Sequence, residues 1–143
     1  MNNSKAKSKK PNPKLIYSSM RLMIQAAQRG NPQAQHNLGA CYATGDWDGP
    51  RDEAEAIKWY TKAAESGHAE SQYDLGFMLI LGEGTGKDIA KGIWWMEQAV
   101  KDGDRYAARV LSDIYREGLF GVEVDFGKAD FWNRRYGDFK GGI

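Results

Sequence analysis

The chain has 143 residues, 41% of them hydrophobic and 27% charged, with 20 Lys and Arg against 19 Asp and Glu. That balance allows one soluble domain with a core and excludes a wholesale attraction to nucleic acid or membrane. The single cysteine, Cys41, excludes an intrachain disulfide, and a cytoplasmic setting is expected. No apolar run approaches the roughly 20 residues that span a bilayer, and no apolar core of a signal peptide follows the basic N-terminus.

Residues 1–13 hold Lys, Ser, Asn and Pro with no large apolar side chain beyond Met1, and the composition predicts disorder. Residues 1–14 carry five lysines and no acid, leaving 15 basic and 19 acidic residues, net −4, to the rest. A helix is expected from about Lys14 to Arg29, with residues 14–30 reading as the second half of a repeat whose first half is missing. Its ending, Ala26-Ala27-Gln28-Arg29-Gly30, matches Ala63-Ala64-Glu65-Ser66-Gly67.

From residue 31 the chain repeats itself about every 36 residues, over 31–67, 68–103 and 104–140, a period that signals a solenoid. Each copy reads as helix, loop, helix. Ala34, Leu38 and Tyr42 fall on one face of a helix, with counterparts Ser71, Leu75 and Leu79, then Ala107, Leu111 and Tyr115. Gly39 and Gly76 follow the central Leu, and Ser112 holds the place in the third copy. A mid-helix Gly costs about 1 kcal/mol relative to Ala, so its recurrence predicts a second helix passing too close for a Cβ.

The loops are rich in Gly, as helix-terminating turns require. Gly82-Glu83-Gly84-Thr85-Gly86-Lys87 lacks the phosphate-loop spacing and follows no strand. Asp52, Asp88 and Asp125 precede the second helices as N-caps, and Asp52 with Glu55 fits a capping box. The second helices alternate large and small residues, Ala56, Trp59, Tyr60, Ala63 and Ala64, then Gly92, Trp95, Met96 and Ala99. The third copy departs at Asn133 and Tyr136-Gly137, as a terminal repeat does.

These residues resemble the Sel-one-like repeat (SLR) family, a relative of the tetratricopeptide repeat, over about Lys14 to Arg135. The resemblance implies an all-α superhelix of about three repeats with an N-terminal half-repeat cap. It further implies a non-catalytic adaptor that takes a protein or peptide against its first helices, which line the concave face. By the same resemblance, the alternative is a dedicated inhibitor or immunity protein for a bacterial toxin.

A helical wheel centred on the apolar stripe places a second set on that concave face: His36, then Tyr73, Phe77 and Ile80, then Tyr106, Arg109, Asp113 and Arg116. Large apolar side chains opposite the packing stripe mark a partner surface, and Tyr and Arg are favoured there. The alternative is that curvature packs Tyr73 and Phe77 onto neighbouring helices. Only Arg109 matches the carboxylate clamp of tetratricopeptide proteins, so chaperone C-terminal peptides are not expected ligands.

No catalytic, cofactor or metal constellation emerges. His36 and His68 show no metal-ligand pairing, and Cys41, beside Tyr42, reads as a buried thiol. Trp47 and Trp94 lie off the repeat pattern. A different class of function, weak nucleic-acid or anionic-surface binding, would rest on the Lys-rich tail. A monomer or weak dimer is expected.

Overall fold

The computed structural model describes residues 13–47 and 49–141, so the expected disorder of residues 1–13 falls almost wholly outside the described residues. Seven helices follow in order: α1 (Pro13–Gln28), α2 (Pro32–Thr44), α3 (Glu53–Glu65), α4 (Ala69–Leu81), α5 (Ile89–Lys101), α6 (Arg105–Glu117) and α7 (Phe126–Gly141). A short 3-10 turn, Leu119–Gly121, links the last two. The helices pair as α2 with α3, α4 with α5 and α6 with α7, while α1 on α2, α3 on α4 and α5 on α6 join one pair to the next. This is an α-solenoid.

The local chemistry recurs because the sequence does. Each first helix begins under a side-chain cap: Asn31 Oδ1, His68 Nδ1 and Asp104 Oδ1 accept the N–H of Ala34, Ser71 and Ala107. Each ends at a left-handed glycine, Gly45, Gly82 or Gly118, whose N–H returns to Cys41, Met78 or Ile114. Each second helix is capped by its aspartate, Asp52, Asp88 or Asp125, as the sequence predicts. The capping box is half formed: Glu55 turns away to the Lys58 ammonium, 2.6 Å off.

The expected close approach of helices is present. A Cβ on Gly76 would lie 2.7 Å from the Gly92 carbonyl and 2.9 Å from Met96 Cγ, and one on Gly39 would meet the Tyr60 ring at 2.9 Å. At the third copy the Ser112 hydroxyl uses the same proximity, donating 2.8 Å to the Ala129 carbonyl.

The core is a chain of clusters rather than one centre. Ala27, Ala34 and Leu38 join α1 to α2. Ala56, Tyr60, Ala64, Leu75, Met78 and Leu79 join α3 to α4. Ile80, Met96, Ala107, Ala108, Leu111 and Ile114 join α4, α5 and α6. Burying one large side chain of this kind contributes about 1.5–3 kcal/mol. Trp47 plugs its loop: its ring meets Tyr42 edge-on at 5.0 Å and fills the space beside Gly49. Trp94 stays half exposed, edge-on to Trp95 at 4.8 Å. Among the described residues no helix is long and apolar enough to cross a membrane.

Candidate partner-binding groove

The first helices α4 and α6 and the cap between their repeats enclose a groove of about 510 Å³. Glu70, Tyr73 and Asp74 enter from α4, Asp104 from the cap, and Tyr106, Arg109, Val110 and Asp113 from α6. Four of the eight residues expected on this face, Tyr73, Tyr106, Arg109 and Asp113, therefore meet in one place.

The other four do not line it. Ile80 is fully buried, because Gly92 lacks the side chain that would keep it from α5. Ile80 is thus a core residue, and its expected contact role is corrected. His36 is also buried, with its ring 5.4 Å from Tyr60 and 4.9 Å from His68. Phe77 is half-buried and backs the groove: its ring stands edge-on to Tyr73 at 5.3 Å and to Phe120 at 6.5 Å. Arg116 turns to α7, where it pairs with Asp130 at 2.9 Å. A wheel drawn for one helix cannot register these effects, since they depend on the helices packed against it, within the pair or in the next one.

Tyr73 is held from behind by Phe77 while its other side faces the groove. Tyr106 is 63% exposed. The Arg109 guanidinium leans over the Tyr136 ring at 5.9 Å, beside Arg105 at 4.7 Å, a stacking that needs no carboxylate. Asp104 Oδ1 accepts the N–H of Tyr106 at 2.9 Å and of Ala107 at 3.2 Å.

The electrostatics are lopsided. Four carboxylates face one guanidinium. Burial pushes the Asp74 carboxyl up to about 6, and Glu70 and Asp104 push it the same way. Burial also raises Asp104, against the lowering by its two backbone hydrogen bonds. The Lys and Arg ion pairs found among the described residues lie elsewhere, at Arg51–Glu53, Lys58–Glu55 and Arg116–Asp130. The basic partner of Glu70 and Asp74 is His36, whose Nε2 is 3.5 Å from Glu70 and whose Nδ1 is 3.9 Å from Asp74. Burial lowers the pKa of His36; Glu70 opposes that and His68 adds to it. Burial and then Asp46 raise that of the half-buried Cys41, so its thiol is a poor nucleophile.

The contact set expected from the sequence leaves out Glu70, Asp74, Asp104 and Val110, which also line the groove. The signal was Glu70 in the first turn of α4, one repeat before Tyr106, and Asp104 at the cap of α6. Two buried glutamines also escape the sequence reading. Gln35 Nε2 donates to the Ala27 carbonyl and Gln72 Nε2 to the Ala64 carbonyl, each at 3.1 Å, clamping one pair to the next. The third junction carries Ala108 instead.

Residues 32–68, 69–104 and 105–132 match the family model described as Sel1 repeat. Over 104 residues, 66% of this chain, the sequence is 31% identical to the chitin synthase regulator SKT5 of Malassezia restricta. It is 31% identical over 102 residues, 71% of the chain, to a putative sel1-like repeat-containing protein of Acanthamoeba polyphaga mimivirus. The chain spans 7% and 19% of those relatives' lengths. The Sel1 repeat protein of Oxalobacter formigenes superposes with TM-score 0.75 at 26% identity, over 85% of this chain and 48% of that one. The protective antigen c5321 of uropathogenic Escherichia coli, which has an SLR fold, gives 0.78 at 31%, over 90% and 27%.

Proposed function

The chain belongs to the Sel1 repeat family, and on that premise we propose that it is a non-catalytic protein-binding module whose groove between α4 and α6 receives a segment of a protein partner. The observation that carries this reading is the convergence of Tyr73, Tyr106 and Arg109 from two successive first helices on one open groove. Tyr and Arg are the residues that anchor interfaces, because each joins a large contact area to a polar end. Relatives named as a chitin synthase regulator and as a component of a ubiquitin-protein ligase support a role exerted through other proteins.

The test is capture of a stoichiometric protein from the native extract, comparing wild type with Tyr106→Ala/Arg109→Ala. Both side chains are exposed, so the double variant keeps its helicity. Loss of the captured protein places it in the groove; undiminished capture refutes this reading.

A further inference from the structure

Resting on that reading, we infer that the partner segment is basic: the groove is shaped and charged for an extended peptide carrying Lys or Arg side chains. The inner face of α4 and α6 is unpartnered among the described residues, and its groove holds about 510 Å³. Its walls alternate between rings and acids. Tyr73 and Val110 give apolar contact, Tyr106 stands exposed at the rim, and Glu70, Asp74, Asp104 and Asp113 surround them.

Two observations point to the sign of the occupant. First, none of the four carboxylates forms an ion pair with a Lys or Arg among the described residues, whereas acids elsewhere on the surface do. Second, the one guanidinium in the groove rests on the Tyr136 ring rather than on an acid. A bound cation would neutralise carboxylates that now repel one another in a partly desolvated cleft, where charge pairing counts for more than in open water. The aliphatic stem of Lys or Arg would lie along Tyr106 and Val110. An acidic segment would meet four like charges and has Arg109 alone to receive it.

The experiment is fluorescence anisotropy of the full chain with three short labelled peptides of equal length, alternating Ser with Lys, Gln or Glu. The Lys peptide should bind and the Glu peptide should not. Glu70→Gln/Asp113→Asn should weaken Lys-peptide binding about tenfold and Tyr106→Ala about fivefold, while Asp130→Asn, outside the groove, should leave it unchanged. Equal affinity for all three peptides overturns the proposal. So does Lys-peptide binding that is indifferent to the groove substitutions. Should the extract partner still be lost from Tyr106→Ala/Arg109→Ala, such results sink only the charge assignment and the groove reading survives. A tenfold gain in Lys-peptide affinity on changing Lys5, Lys7, Lys9 and Lys10 to Gln would make this chain's own segment the occupant and overturn a partner's.

Discussion

His36 Nδ1 lies 2.9 Å from the hydroxyl of Ser71, thirty-five residues on. The same hydroxyl is 2.9 Å from His68 Nδ1, so both histidines of the chain meet on one serine at a repeat junction. The donors can be assigned. The Ser71 backbone N–H donates to His68 Nδ1, which therefore carries no proton, and His68 Nε2–H faces Gln33 Oε1 at 3.2 Å. The one Ser71 hydroxyl proton is then donated to His68 Nδ1, and the hydroxyl oxygen accepts from His36 Nδ1–H, while His36 Nε2 lies 3.5 Å from Glu70. Ser71 is fully buried. Ser71→Ala should therefore destabilise the fold by about 1–3 kcal/mol, because it strands a buried ring nitrogen. Urea unfolding measures the loss.

Stability should fall on the acid side through His36. Its folded pKa lies below 6.5, with burial the first cause, so the unfolded chain binds its proton more readily. The contribution is present above about pH 6.5 and is lost as pH falls through the lower folded value. His36→Gln should flatten this part of the profile, read from urea midpoints across the pH range.

Asp74 works in the opposite sense. Its folded pKa is raised from 3.8 to about 6, so its favourable contribution is complete below about pH 4 and is lost as pH rises through about 6. Asp74→Asn should stabilise the protein at neutral pH by about 1 kcal/mol, a discounted figure because a third of the side chain meets water. The gain should vanish below about pH 4. The same change should weaken Lys-peptide binding, a trade of stability against function.

Two glycine substitutions should differ in sign. Gly76→Ala drives a Cβ into the Gly92 carbonyl, and backbone cannot yield as a flexible side chain does. A loss of about 1–3 kcal/mol is expected despite the better helix former. Gly137→Ala, in α7 with open space around it, should gain about 0.5–1 kcal/mol. Thermal unfolding distinguishes them.

Removal of residues 1–12 should leave partner capture unchanged. Any nucleic-acid binding through the four lysines it carries, Lys5, Lys7, Lys9 and Lys10, should disappear with it, and in the intact chain should weaken steeply with salt.

The repeat, its helices and their ends were legible in the sequence because they rest on local causes. Leu38, Leu75 and Leu111 recur at helical spacing, Asp52, Asp88 and Asp125 cap the next helix, and Gly39 and Gly76 announce a close neighbour. Each of these answers to the chain within a few residues or to the adjacent helix of the same pair. The groove was half legible, since Tyr73, Tyr106, Arg109 and Asp113 point away from the packing stripe as a wheel predicts. What the tertiary structure alone decided is which outward positions remain outward once pairs stack. Ile80 sinks against Gly92, Arg116 crosses to Asp130, and His36 closes on Ser71 and His68, while Glu70, Asp74 and Asp104 converge on the open face. Neighbouring helices set those outcomes, α5 at Ile80 and α7 at Arg116 within a pair and α4 at His36 across a repeat, and where those helices sit comes from side-chain packing that one helix's own sequence does not carry.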